Sequence, residues 1–190
     1  MRNTFSPLDR RNFITFVWMV IASILSQSVA LGSWDTHLPF NVNAASTIRR
    51  FSRWLHNNKI DTERIYDSII CAALRNWVGD RIILALDTTM LRDKACAIRI
   101  SMIYLGRAVP IAWRVLEHNS SSVKFAAYKE VLRRARSCLP EGVKVIFLAD
   151  RGFVSKKLMC QLNEWGWIWR IRIKGNQVLY CKDRRMPPRY

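Results

Sequence analysis

Acidic residues are scarce in this chain: 14 Asp and Glu stand against 31 Lys and Arg in 190 residues. That shortage leaves a formal net charge of +17. It points to a polyanionic partner, of which nucleic acid is the commonest. Histidine is scarce too, with three in all, and the five cysteines (Cys71, Cys96, Cys138, Cys160 and Cys181) are widely spaced. No two lie at a metal-finger or redox spacing, so a zinc module and thiol chemistry both drop out, and the thiols read as reduced and intracellular. Internal repeats and low-complexity tracts are also lacking.

What is present is apolar. Half the residues are hydrophobic, with eight Trp, eight Phe and five Tyr, which excludes a disordered or fibrous chain. The length suits one domain, or a small helical module joined to a catalytic-sized one. The positive charge is unevenly placed: residues 1–95 carry 12 basic and 8 acidic groups, net +4, and residues 96–190 carry 19 and 6, net +13.

From Phe13 to Leu31 no residue is charged, and Arg10 and Arg11 precede the run. A basic flank before an apolar stretch fits a signal peptide or a membrane span. Thr15, Ser23, Ser26, Gln27 and Ser28 dilute the hydrophobicity a span needs. Phe13, Phe16, Val17, Val20, Ile24 and Leu25 fall roughly at helical spacing, as in a buried helix. Both readings stand on these residues alone.

Residues 12 to about 78 read as helices. Pro39, Asn41 and Asn43 make a turn, Ser46 is a candidate cap, and Ile48, Phe51, Trp54 and Leu55 form an inward stripe opposite Arg49, Arg50 and Arg53. Asp61 or Thr62 caps the next helix, with Ile65, Ile69, Ala73 and Leu74 (or Ile70) inward, ending near Gly79. From Arg81 the pattern changes. Ile82 to Leu86 is a continuous apolar run closed by Asp87, as in a strand buried on both faces. Residues 96–105 alternate, Gly106-Arg107 turns, and Val109 to Leu116 returns as a hairpin partner, with Pro110 marking an edge strand. Ser120 to Ser122 precede an amphipathic helix striped by Tyr128, Val131, Leu132, Ala135 and Leu139. A second buried strand, Val143 to Leu148, ends at Asp150. A helix capped by Ser155 follows, and then a strand from Trp167 to Lys174 with Arg170, Arg172 and Lys174 on one side. The expected architecture is an α/β mixed sheet in the order β-β-β-α-β-α-β, residues 80–190, preceded by a small all-helical domain, residues 1–79.

Asp87 and Asp150 follow the two most apolar strands. A crossover helix between those strands makes them parallel, which sends both carboxylates to the C-terminal edge where open α/β sheets place ligands. An Asp after a strand also serves as a turn former or cap, so the residues alone leave both readings open. Two carboxylates brought together stay ionised when a cation lies between them, and hard oxygen ligands select Mg²⁺ or Mn²⁺. Such a site acts on a phosphodiester, and the basic half of the chain supplies a grip on the backbone.

Leu84-Ala85-Leu86-Asp87-Thr88-Thr89 and Leu148-Ala149-Asp150-Arg151-Gly152-Phe153 resemble the first and second acidic motifs of the bacterial insertion-sequence DDE transposases. The hydrophobic helical N-terminus and Trp169-Arg170-Ile171-Arg172-Ile173-Lys174 are similar to that family as well, so the resemblance covers about residues 10 to 176. It implies an RNase H-like fold, Mg²⁺ (or Mn²⁺) held by Asp87 and Asp150, and cleavage and strand transfer of DNA in transposition. Its implied partner is double-stranded DNA, both transposon ends and target, gripped by Arg49, Arg50, Arg53, Arg151, Arg170, Arg172 and Lys174. A homodimer in a synaptic complex, a cytoplasmic, nucleoid-associated location and a buried rather than membrane-spanning residue 13–31 segment go with it. The family's third acid is a Glu on a helix after the last sheet strand. Glu164 and Asp183 do not occupy that place, residues 176–180 read as the start of an inserted region, and residues 182–189 read as loop. The expectation is therefore an amino-terminal portion of a transposase. The alternatives are a catalytically inactive DNA-binding remnant and an RNase H-like nuclease.

Among the remaining residues, Arg151 and Gly152 read either as a phosphate contact or as a turn. Trp165, Trp167 and Trp169 read as core or as base-stacking platforms. His118 reads as structural, and Thr88 and Thr89 as backbone support beside Asp87.

Overall fold

The computed structural model describes residues 9–38, 43–92, 94–173, 179–181 and 184–186. The chain divides into two compact units, residues 1–68 and residues 69–190.

In the first unit, α1 (Arg10–Ser26) starts at Asp9, whose side chain accepts from the Arg11 amide, and stops at Gln27 in the left-handed region. Two short 3₁₀ turns, Leu31–Ser33 and Asp35–His37, lead toward α2 (Ala44–Leu55). The cap of α2 is Asn43, one turn earlier than expected: its side chain accepts from Ser46 N–H at 3.3 Å. α3 (Thr62–Leu74), whose residues from Ile69 belong to the second unit, opens where Asp61 Oδ1 accepts from Arg64 N–H at 2.9 Å. It stops at Leu74, five residues short of Gly79.

The small core of this unit is Met19, Ala22, Trp34, Phe51 and Trp54, with Phe16, Trp18, Leu31, Leu38, Ile60 and Ile65 packed around it. The expected inward stripe of α1 is therefore corrected. Thr15, Met19 and Ala22 are the buried positions, while Phe13, Val20, Ile24 and Leu25 are exposed, Ile24 to 67 %. On α2 Phe51 and Trp54 are buried as expected, Thr47 joins them, and Leu55 faces outward. No described helix is long and apolar enough to cross a membrane.

The second unit contains a five-stranded mixed sheet, in spatial order β3 (Arg107–Glu117), β2 (Ala95–Tyr104), β1 (Arg81–Leu91), β4 (Lys144–Ala149) and β5 (Ile168–Ile171). β1, β2 and β3 form an antiparallel meander. α4 (Phe125–Ser137) then crosses to β4, parallel to β1, and α5 (Lys156–Glu164) crosses to β5, parallel to β4. The expected α/β mixed sheet and its element order are what the structure contains. β3 is an edge strand, and Pro110 sits opposite Ser101 at a break in register, where its missing N–H interrupts least. Gly166 closes α5 with φ +68, a conformation that suits glycine.

One sheet face carries Ile82, Leu84, Leu86, Ile98, Ile100, Val145 and Phe147, all buried. α4 packs on β2 and β3 through Tyr128, Val131, Leu132 and Ala135, and α5 packs on β5. Each such side chain removed from water contributes about 1.5–3 kcal/mol before entropy is counted. Ile83, Ala85, Ile146 and Leu148, on the other face, are half-buried.

Three boundaries differ from expectation. β1 continues through Thr88-Thr89-Met90 to Leu91, because these residues pair with β2 after the partnership with β4 has ended. β5 is only four residues long. Residues 182–189 are not all loop, since Arg184–Met186 (β7) pairs antiparallel with Leu179–Cys181 (β6).

Candidate functional site

Parallel pairing of β1 and β4 runs from Arg81↔Lys144 to Leu86↔Ala149. Asp87 is the next residue of β1, and Asp150, still in extended conformation, directly follows the end of β4. Neighbouring strands lie about 4.8 Å apart, and alternation sends residues in register to the same face. Both acids thus leave the sheet at the C-terminal end of the parallel pair, on the face opposite Leu86. Asp87 does not end its strand, as the sequence suggested. It is the first residue of β1 beyond the stretch that pairs with β4.

The two carboxylates have different surroundings. Asp87 is directly opposite Arg99 on β2, and Arg99 Nη2 lies 3.8 Å from Asp87 Oδ2. With the side chains 61 % and 42 % exposed, water screens this pair, and its net worth is within about 1 kcal/mol. Arg99 Nε is buried with no hydrogen-bond partner. Asp150 is exposed and opens a 3₁₀ turn, Arg151–Phe153, in which its carbonyl accepts from Phe153 N–H at 3.0 Å. Its side chain makes no capping bond to that turn, so local turn chemistry does not occupy the carboxylate.

The rim around the acids is built from neighbouring loops. Thr88 Oγ1 donates to the Ser121 carbonyl at 3.0 Å, tying the loop after β3 to β1 beside Asp87. His118 Nδ1 lies 2.7 Å from the Ser120 carbonyl oxygen and 3.1 Å from the Ser120 amide nitrogen, so the imidazole is held within that loop. Arg151 and Gly152 are exposed in the turn, and open space surrounds the position a Gly152 Cβ would take. A close ligand approach is sterically free there.

Arg170 pairs with Leu148, which puts it on the same face as Asp150, and the Arg172 amide donates to the Ala149 carbonyl at 3.0 Å, continuing the ladder. Both side chains are exposed. Arg99 on one flank and Arg170 and Arg172 on the other therefore share the acids' face. Lys174 lies outside the described residues. Arg49, Arg50 and Arg53 are exposed on α2 of the first unit.

Of the tryptophans, Trp167 is core, its ring centroid 6.0 Å from Phe147 and 5.0 Å from Trp165. Trp165 lies under the Arg136 guanidinium at 4.8 Å, and Trp169 Nε1 donates to Asn163 at 2.8 Å. Packing and local bonds occupy these rings.

Sequence reasoning missed Arg99 as a neighbour of the acids. Alternation along residues 96–105 gives the faces of that strand, but the partner of Arg99 across the ladder follows only from the register of two strands.

Two exposed carboxylates on adjacent strands can hold one hard cation, with water and a phosphate oxygen completing its shell. Among the described residues no third His, Cys, Asp or Glu joins them. Glu164, on α5, accepts from Gln161 Nε2 at 2.8 Å. No protein-family model and no curated protein matches this chain.

Proposed function

We propose that the chain is a portion of a DNA transposase of the insertion-sequence DDE type, with an RNase H-like sheet and a helical DNA-gripping N-terminal unit. The observation that supports this reading is the parallel register of Leu86 with Ala149, the residues directly before Asp87 and Asp150. The motifs that resemble the family are thus neighbours in space although sixty residues separate them. In this reading Asp87 and Asp150 hold Mg²⁺ or Mn²⁺, which when bound lowers the pKa of an attacking water or hydroxyl and offsets charge at the leaving oxygen. Arg151, Arg170 and Arg172 bear on the phosphodiester, holding its oxygens through charge-assisted hydrogen bonds. Duplex DNA, both transposon ends and target, is the partner.

The test uses the whole chain. Titration with Mn²⁺ gives a saturable signal that Asp87→Asn and Asp150→Asn each abolish, and end-labelled duplex incubated with Mn²⁺ gives products joined to a target duplex. Equal Mn²⁺ binding by both variants and wild type overturns the metal assignment. Products that are only hydrolysed favour a nuclease of the same fold.

A second reading keeps the DNA partner and drops the cutting. The Arg99 guanidinium beside Asp87 favours it, because a fixed cation there competes with a metal for the same carboxylate. It predicts salt-sensitive DNA binding with no cleavage at any divalent concentration.

A further inference from the structure

We infer that the cleft between α1 and α2 is a clasp for the phosphate backbone of duplex DNA, formed by Arg11, Arg50 and Arg53 and aligned by the buried Thr15. The inference rests on the DNA-partner reading above and adds to it a specific site, a residue from α1 and a positioning group.

The cleft has a volume of about 510 Å³, and Arg11, Thr15, Arg50, Arg53 and Trp54 are among its lining residues. Its floor is rigid. Trp54 Nε1 donates to the Asn12 carbonyl at 2.9 Å, and the Trp54 ring stacks on Phe16 with centroids 5.6 Å apart. Thr15, only 4 % exposed, donates through Oγ1 to the Arg11 carbonyl at 2.8 Å and accepts from Arg50 Nε at 2.9 Å. One hydroxyl therefore joins the backbone of the first arginine to the side chain of the second. With Nε committed to Thr15, the two Nη groups of Arg50 remain for a ligand in the cleft, in the planar fork that suits phosphate oxygens.

The charge is one-sided. No acid lines this cleft, or the adjoining one of about 940 Å³ lined in part by Asn43, Ser46 and Arg49, among the described residues. Arg53 borders both, so the basic lining runs unbroken across α2. Asp9, the nearest acid in sequence, directs its carboxylate to the Arg11 amide as a cap. Arg10 and Arg11 also stand in the first turn of α1, which contains no acid apart from the Asp9 cap, where the helix dipole disfavours cations. An anion in the cleft relieves both the mutual repulsion and this unfavourable placement. Three arginines around one groove supply the charge-assisted hydrogen bonds that backbone phosphate oxygens accept.

The experiment measures binding of a fluorescein-labelled 30-base-pair duplex to the whole chain by anisotropy, as a function of salt. The Arg11→Ala/Arg50→Ala/Arg53→Ala variant is expected to bind about tenfold or more weakly at 0.1 M salt, with a log–log salt slope shallower by about 1–2. Thr15→Val keeps every arginine and the buried volume, and is expected to weaken binding about two- to fivefold through the loss of Arg50 alignment, with an unchanged far-UV spectrum. Arg64→Ala, on α3, is the control for net charge. Arg50→Ala alone is measured beside it, and if Arg64→Ala weakens binding as much as Arg50→Ala does, the clasp is overturned in favour of diffuse attraction. If wild type binds and the triple variant binds equally, the clasp alone is overturned; if wild type binds no duplex, the DNA-partner reading falls with it.

Discussion

Asp87 and Arg99 face each other across the β1–β2 ladder, with Arg99 Nη2 3.8 Å from Asp87 Oδ2 and Arg99 Nε sealed from water without a partner. The guanidinium thus satisfies neither role fully. Its ion pair is long and solvated, and one of its donors is orphaned. A side chain kept under such conditions adds little to the stability of the sheet, and its effect falls mainly on the charge state of the acidic face.

Replacing Arg99 with Met separates the two effects. An orphaned buried N–H costs about 1–3 kcal/mol, while the exposed ion pair returns within about 1 kcal/mol. Arg99→Met is therefore expected to raise the thermal midpoint followed by circular dichroism. It is also expected to tighten Mn²⁺ binding by up to about fivefold, because the competing cation beside Asp87 has gone. A lowered midpoint together with weaker Mn²⁺ binding would show that Arg99 supports the site rather than competes in it.

Gly79 is required by Trp77. A Cβ at position 79 would lie 2.7 Å from Trp77 Nε1 and within 3.1 Å of two further ring atoms, and the same ring packs edge-on against Tyr104 with centroids 5.6 Å apart. Gly79→Ala must displace a bulky aromatic rather than the end of a flexible chain. It is expected to cost about 1–3 kcal/mol in urea unfolding and to shift the tryptophan emission. An unchanged unfolding midpoint would mean that the indole relocates freely.

Much of the second unit was legible because its strands announce themselves. Ile82 to Leu86 and Val143 to Leu148 are short apolar runs, and the stripe of Tyr128, Val131, Leu132 and Ala135 repeats at helical spacing. The extension of β1 beyond Asp87 was not legible, since Thr88-Thr89-Met90-Leu91 carries no one-sided pattern and is a strand only because β2 pairs with it. The phase of α2 could be read from Arg49, Arg50 and Arg53. That of α1 could not, because a helix without charges from Phe13 onward gives periodicity nothing to contrast with. Of the candidate site, the two strand-associated acids were readable from sequence, but their register, the Arg99 partner and the Arg50–Thr15 link depend on contacts between distant segments.

The corrected phase of α1 makes a direct prediction. Met19→Ala removes a buried side chain and is expected to cost about 2–5 kcal/mol. Ile24→Lys, on the exposed side, is expected to change stability by less than about 0.5 kcal/mol. Chemical denaturation of both variants decides the orientation. The opposite ranking would restore the stripe expected from sequence, with Ile24 inward.

Tyr128 gives the chain a stability limit at high pH. The residue is buried at the start of α4, edge-on to Phe125 and to Phe153 in the turn after Asp150. Burial pushes its phenol up to about 12, from an ordinary value of 10.0. A pKa raised on folding means that the neutral phenol is favoured by the native state. The stability linked to it is fully present below pH 10 and is lost as pH rises from there through about 12. A rise from 10.0 to about 12 corresponds to at most about 2.7 kcal/mol across that window. Tyr128→Phe cannot ionise, so its unfolding free energy is expected to fall less steeply between pH 9.5 and 11.5 than that of wild type, the lysines and other tyrosines being common to both. Parallel urea melts over that range measure the difference. Identical slopes would show that the phenolate forms in the folded chain without penalty, and that the aromatic cluster behind Asp150 admits water.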